Sequence, residues 1–331
     1  MNDAGRAATV PPLPESLHFI QRDWLSSNNL LCFEGENATL VDSGYVAVVD
    51  QTVALVNAGL QQHTRELVPA TRGSVRLTRL INTHSHSDHI GGNAAVKRAF
   101  NCEILIPATM ESMVAAWDEE AMLLGVAGQR AERFTYDGVI AVHSRFEMGG
   151  LIWQAFPAPG HDMSALVFYC AEEGLLISGD ALWEDGFGIL FSAFSDVPTA
   201  AADVLAVTRT TLEMISRLDL ATVIPGHGPV FGDPEAALAR AFGRLDAFTR
   251  DPLRLGRNAV KAGFTFNLLD MGRLEEAALP GYLASIPFFR DINRRNYGLS
   301  NADFASWLLR EVVGSRAARV ESGWIIPTGK A

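Results

Sequence analysis

The sequence predicts a mixed α/β (α+β) fold with a mostly helical C-terminal appendage, and three observations lead there. Through the first 250 residues, short apolar runs of strand length alternate with longer segments of helical period. The runs fall into two similar strand-rich halves whose helices belong on the outside. The composition, 48% hydrophobic and 20% charged, is that of a globular chain able to bury a sizeable core. At 331 residues the chain is long for one domain. The expected division is a loose polar tail at 1–15, a main domain at 16–250 and a C-terminal unit at 251–331.

In chain order, residues 28–34 and 37–42 read as two strands joined by a turn at Gly35-Glu36. Val46 to Gln62 has helical period and ends near Thr64. Val75–Ile81 is an apolar strand, Asn93–Phe100 a helix and Cys102–Pro107 a short buried strand. Ala108–Arg133 reads as largely helical, because Met113, Trp117, Met122 and Leu123 recur at roughly helical spacing; it is expected to cover the sheet or to act as a lid or dimerisation element. Four strand candidates follow at 138–143, 150–156, 165–171 and 174–179, then helix Thr199–Leu218, strand Ala221–Ile224 and helix Pro234–Thr249. Beyond Asp251 the pattern gives helices at Leu253–Ala262, Phe264–Met271, Arg273–Leu283 and Asn301–Val313. A terminal hairpin turns at Ser322-Gly323.

The chemistry concentrates in Leu80-Ile-Asn-Thr-His-Ser-His-Ser-Asp-His-Ile-Gly-Gly92, between a strand and a helix. A spacing of two puts His84 and His86 on one side of an extended segment, while Asp88 and His89 turn the other way at the helix entrance. One loop can therefore face two metal sites. Further candidates end other strand-like runs: Asp42 in Val41-Asp-Ser-Gly44, His161 in Pro159-Gly160-His161, Asp180 in Ile177-Ser-Gly-Asp180 and His227 in Pro225-Gly-His227.

This ordered set, opening on H-x-H-x-D-H, resembles the metallo-β-lactamase-fold hydrolases over roughly residues 28–230. The resemblance implies a four-layer αββα sandwich and, for the C-terminal unit, a winged-helix-like appendage carried by one branch of the family. It also implies a ligand set. His84, His86 and His161 would hold one metal, Asp88, His89 and His227 a second, and Asp180 would bridge them, with Asp42 bracing the loop from behind. Two divalent ions are the expected cofactors; imidazole and carboxylate favour Zn²⁺ and also suit Fe and Mn. The implied chemistry is hydrolysis by a metal-bridging hydroxide, with Asp88 and Asp180 as the catalytic carboxylates and Asp88 also passing a proton to the leaving group. The leading substrate is an ester, thioester or lactone, as in glyoxalase II or the acyl-homoserine lactonases. The same scaffold also implies two alternatives, a phosphodiesterase or RNA endonuclease and a mononuclear iron enzyme like the persulfide dioxygenases.

After Asp180 an aromatic segment with Trp183, Phe187, Phe191 and Phe194 offers a pocket wall for an apolar substrate group. Charge is uneven: 12 basic and 8 acidic residues from Arg250 onward follow 15 basic and 30 acidic ones, so the body is acidic. A small-molecule substrate with little negative charge is expected, and nucleic acid is the less favoured partner despite Arg290, Arg294 and Arg295. No apolar run reaches the about 18 residues of a transmembrane helix, so no membrane partner is expected, while a homodimer is compatible. Cys32, Cys102 and Cys170 lie in apolar runs without paired spacing, and residues 1–15 lack an export signal. Both point to a cytoplasmic setting with free thiols.

Overall fold

A computed structural model describes residues 10–67, 74–194 and 200–329. The first nine residues of the expected tail and the first residue of the helix expected from Thr199 lie outside them.

Two sheets form the centre. The first contains β1 (Leu17–Ile20), β2 (Asn29–Glu34), β3 (Asn37–Val41), β4 (Arg76–Ile81), β5 (Glu103–Pro107) and β6 (Gly138–Ile140), paired in that order. Its hairpins β1–β2–β3 are antiparallel, and β3 to β6 run parallel. The second comprises β7 (Arg145–Met148), β8 (Leu151–Pro157), β9 (Leu166–Cys170), β10 (Leu175–Gly179) and β11 (Thr222–Pro225), in the order β11-β10-β9-β8-β7. Only β10 and β11 pair in parallel there.

Side-chain alternation along the strands assigns the layers. In β2, Leu30 and Cys32 join Leu166, Phe168 and Cys170 of β9 in the core between the sheets. Their neighbours Leu31 and Phe33 instead pack with Val56 and Leu60 of helix Val49–Leu67. On the far side, Val167 and Tyr169 meet Leu212 and Ile215 of helix Ala200–Ile215 and Leu245 of helix Pro234–Arg250. Both faces of these strands are thus buried, which is why they read as continuous apolar runs. The result is the expected αββα order. All three cysteines are buried and unpaired. Among the described residues no helix is long and apolar enough to cross a membrane.

Four expectations are corrected. β1 and β7 had no sequence counterpart: each is four residues long and only partly buried, so neither forms the continuous apolar run that β11 does. Residues 108–133 are not largely helical. A helix spans only Glu111–Ala116, ends on Trp117 at φ +55°, and is followed by turns and the single helical turn Leu124–Ala127, closed by Gly128 at φ +74°. In the C-terminal unit, the two helices expected on either side of Gly263 are one, Pro252–Met271. Gly263 is a packing site, not a breaker: a Cβ there would lie 3.1 Å from Phe288 Cε1. The helix expected at Arg273–Leu283 begins instead with strand β12 (Leu274–Glu275), and the helix proper is Leu279–Ser285.

Helices Pro287–Ile292 and Asn301–Gly314 and the hairpin β13 (Ala318–Glu321) and β14 (Trp324–Pro327) complete the chain. The small sheet has the order β12-β14-β13. This unit has its own apolar core, yet Ala127 and Phe191 of the preceding chain belong to that core.

Candidate metal centre

Asp42 directly follows β3, the 82–92 loop follows β4, Asp180 follows β10 and His227 comes two residues after β11. His161 lies in the turn between β8 and β9. Four strands from two sheets therefore end at one place, and every sequence-predicted ligand is buried there. The donor atoms form two groups, each within 4.8 Å: His84, His86 and His161, and Asp88, His89, Asp180 and His227.

The bracing of these side chains explains their aim. Asp42 Oδ2 accepts from His89 Nδ1 and from Thr83 Oγ1, both at 2.8 Å, while its Oδ1 accepts from the Thr83 amide at 2.8 Å. With Nδ1 committed, His89 presents Nε2 to the centre, the usual way an outer carboxylate orients a ligand. His161 is held likewise: its Nδ1 lies 2.7 Å from the Ile189 carbonyl. That approach requires Gly188, where a Cβ would sit 2.3 Å from the same nitrogen. Gly226 is equally constrained, because a Cβ there would lie 2.2 Å from Asp180 Oδ1.

Asp180 stands between the groups. Its Oδ2 is 3.2 Å from His161 Nε2 and its Oδ1 is 3.4 Å from His89 Nε2. Trp183 Nε1 donates to Oδ1 at 3.2 Å. Asp88 Oδ2 lies 2.9 Å from His227 Nε2.

Burial pushes His84 well below the ordinary histidine range, helped by its histidine neighbours, and burial with His161 lowers His86 to about 4. Burial opposes ionisation of Asp180, but the neighbouring imidazoles of His227, His89 and His161 outweigh it and hold the carboxyl well below its ordinary value. Burial likewise opposes charge on His89, yet Asp42, Asp180 and Asp88 hold it well above. His84, His86 and Asp180 are thereby in ligand-ready forms, neutral imidazole and ionised carboxylate, whereas His89 would give up a proton to a metal.

A metal fits this donor set on one direct observation. His84 Nε2 and His89 Nε2 are buried without a hydrogen-bond partner, an arrangement that costs about 1–3 kcal/mol per group unless something else binds there. Cations at those nitrogens would remove that cost.

Sequence reasoning missed several supports. Asp162 accepts from Ser85 N and Oγ through Oδ2 and from Ser164 N and Oγ through Oδ1, tying the metal loop to the β8–β9 turn. Trp24 stacks on His227, with centroids 5.4 Å apart and planes 5° apart. Neither stands in a motif, and only the fold brings them to the site.

A cavity of about 110 Å³ opens on the centre, lined by His86, Asp88, His161, Asp180 and His227. Of the four aromatics expected to wall it, Trp183, Phe187 and Phe191 do so. Phe194 does not line it; it packs on Phe288, with centroids 5.9 Å apart. The remaining wall comes from distant chain: Trp24, Gln129, Arg244, Phe266 and Leu269. Residues 117–134 thus supply a cavity wall, pinned by Arg130 to Asp270 and by Asn267 Nδ2 to the Ala127 carbonyl at 2.9 Å. Of the C-terminal arginines, Arg290 and Arg294 pair with Asp291, and Arg295 donates to the Phe194 carbonyl.

Against known proteins, the model of the metallo-beta-lactamase superfamily matches residues 22–227. A probable metallo-hydrolase of Streptococcus pyogenes serotype M6 is 26% identical over 200 residues, 57% of this chain and 79% of that protein. A hydroxyacylglutathione hydrolase of Ectopseudomonas mendocina is 31% identical over 226 residues, 64% of this chain and 75% of that one. The match to its counterpart in Polaromonas sp., 30% identical and covering 54% of this chain, spans only 59% of that protein. Among solved structures, a metallo-beta-lactamase family protein of Thermus thermophilus aligns over 96% of this chain and 100% of its own, with a TM-score of 0.54 and 16% identity. The native FEZ-1 metallo-beta-lactamase of Legionella gormanii aligns over 72% and 94%, with a TM-score of 0.53 and 14% identity. These two likenesses concern the fold alone.

Proposed function

Since the chain belongs to the metallo-beta-lactamase superfamily and is a metal-dependent hydrolase, we propose that it cleaves an ester, thioester or lactone at a dinuclear zinc centre. His84, His86 and His161 would hold one ion and Asp88, His89 and His227 the other, with Asp180 shared. The observation that carries this reading is Asp180 itself, whose two oxygens face different ligand groups, Oδ2 toward His161 and Oδ1 toward His89. Such a bridge suits two cations held close together. Zinc ions bound there supply Lewis acidity and bring water ionisation toward neutral pH.

The chain's own residues supply the rest. Asp42, Asp162 and the Ile189 carbonyl fix the ligands before substrate arrives, so that little reorganisation is needed during reaction. Trp24, Trp183 and Phe191 exclude water from one side of the substrate and bind its apolar part. Asp88, which lines the cavity, would pass a proton to the leaving group. Relatives that act on hydroxyacylglutathione, a thioester, support that bond class. We also read residues 251–331 as a winged-helix-like unit, a reading supported by the strand order β12-β14-β13. Its role here is to complete the cavity.

The test is metal analysis of the purified protein combined with a panel of ester, thioester, lactone and phosphodiester substrates. Close to two divalent ions per chain and turnover confined to the acyl substrates are expected. One iron per chain with oxygen consumption, or turnover of the phosphodiester alone, would sink the reading.

A further inference from the structure

The cavity contains a cation that the ligand set does not use. Arg244 comes from helix Pro234–Arg250 and lines the same cavity as His161, Asp180 and His227. Its guanidinium carbon lies 5.1 Å from the Phe187 ring centroid and 5.5 Å from that of Phe248, and because those rings meet edge to face at 6.3 Å both cation–π contacts fall on one side of it. Nη2 donates to Asn258 Oδ1 at 3.0 Å. Gly186 packs close against the side chain, since a Cβ there would come within 2.7 Å of Nη1 and 3.2 Å of Cδ.

What the guanidinium lacks is an acid. Among the described residues no carboxylate pairs with it, whereas Arg240 on the same helix pairs with Asp185 and Arg209 pairs with Asp246 of that helix. The two acids lining the cavity are engaged elsewhere, Asp88 with His227 and Asp180 with His161 and His89. Nearby charge is of the same sign: burial, then Arg254, bring Arg244 down to about 10, which leaves it protonated near neutrality. A guanidinium has five N–H donors in a planar fork, and one hydrogen bond leaves most of that fork for something else.

We propose that Arg244 is a specificity-determining residue whose guanidinium receives a carboxylate on the substrate's apolar group. The inference rests on the acyl-hydrolase reading above. It revises the expectation, drawn from the acidic body of the chain, that the substrate carries little negative charge. Net surface charge acts at long range and through screening water, whereas one guanidinium inside a small aromatic cavity acts at contact and is screened little. The aromatic walls and the single cation together describe an acyl group that is apolar along its length and anionic at its end. Phe187 and Phe248 contact the guanidinium from one side and Asn258 takes one Nη2 hydrogen, and the N–H donors left over are those a carboxylate entering the cavity would meet.

The experiment compares thioesters of one thiol with four-carbon acyl groups ending in methyl or in carboxylate, on metal-loaded wild type, Arg244→Met and Arg244→Lys. The wild type is expected to favour the carboxylate substrate in kcat/KM, and Arg244→Met to reduce that preference by about 10- to 100-fold, the scale of a charged hydrogen bond. Arg244→Lys keeps the charge without the fork and should fall between them. A wild type that favours the methyl substrate, or a preference unchanged in both variants, overturns the proposal. If the wild type cleaves no ester, thioester or lactone of the panel, the acyl-hydrolase reading fails separately. Where neither thioester is cleaved, binding of phenylacetate, followed by tryptophan fluorescence through Trp24 and Trp183, decides this one. Weaker binding in Arg244→Met by at least about tenfold supports it, and equal affinity in wild type and both variants overturns it. Circular dichroism of each variant ensures that a misfolded protein is not read as a result.

Discussion

Asp180 concentrates the argument at the scale of a single residue, because its carboxylate has neighbours in both ligand groups and a glycine opposite it that leaves room for nothing more. Asp180→Asn keeps the shape and removes the charge that offsets repulsion between two cations. Turnover should fall by at least about 10²-fold, the scale of removing a preorganised electrostatic element, and metal content should fall toward one ion per chain. Metal analysis alongside kcat checks both, and a variant with wild-type turnover and two metals would refute the bridging role. His227→Ala and Asp88→Ala should empty the second group first, since neither belongs to the His84, His86, His161 group.

Among the elements, the loop after Asp180 has two functions that pull in different directions. Phe187 is 1% exposed and belongs to the core beneath helices Ala200–Ile215 and Pro234–Arg250, yet it also lines the cavity and carries Arg244 on its face. Phe187→Ala should therefore cost about 3–5 kcal/mol of stability, as aromatic deletions in cores do, besides raising KM. Phe191→Ala sits where the C-terminal core meets the cavity and should lower affinity for the apolar group at a smaller cost in folding. Thermal or urea unfolding of both variants separates the two effects. Equal stability of Phe187→Ala and wild type would show that the ring is only a pocket wall. Residues 117–134 also gain their form from neighbours: Asp270 and Asn267, on helix Pro252–Met271, hold Arg130 and the Ala127 carbonyl.

For the whole molecule, the question is whether the C-terminal unit is a passive addition. All seven proposed ligands precede Gly228, but Phe266 and Leu269 complete the cavity and Phe191 packs into the C-terminal core. A chain ending at Arg250 should keep its metal if it stays soluble, melt at a lower temperature because that shared core is exposed, and lose about tenfold or more in kcat/KM through a loosened substrate pose. Metal analysis, calorimetry and kinetics on this truncation check the three parts. Full activity without residues 251–331 would remove the unit from the site.

The ligand groups were legible in the sequence because each ligand follows a strand in a short motif. Strand period decides which way the residues of such a motif face. His84 and His86 fell on one side and Asp88 and His89 on the other, as their spacing required. Most strands and long helices were legible for the same reason, since their apolar period is imposed by layers that bury both faces of each sheet. The supports and the cavity were not. Trp24, Asp162 and Arg244 occupy no motif, and their meaning depends on what lies opposite them in space: the imidazole of His227, the amide of Ser85, the ring of Phe187. Residues 108–133 misled because helical spacing is a local signal, whereas the stretch from Ala127 to Arg130, with its turn at Gly128, answers to contacts with a helix some 140 residues later. The sequence by itself determined the fold class and picked out the donor residues that the fold gathers into two groups. Tertiary structure alone decided that Phe194 turns away and that a guanidinium enters the aromatic side of the cavity, because each depends on chain segments that meet only after folding.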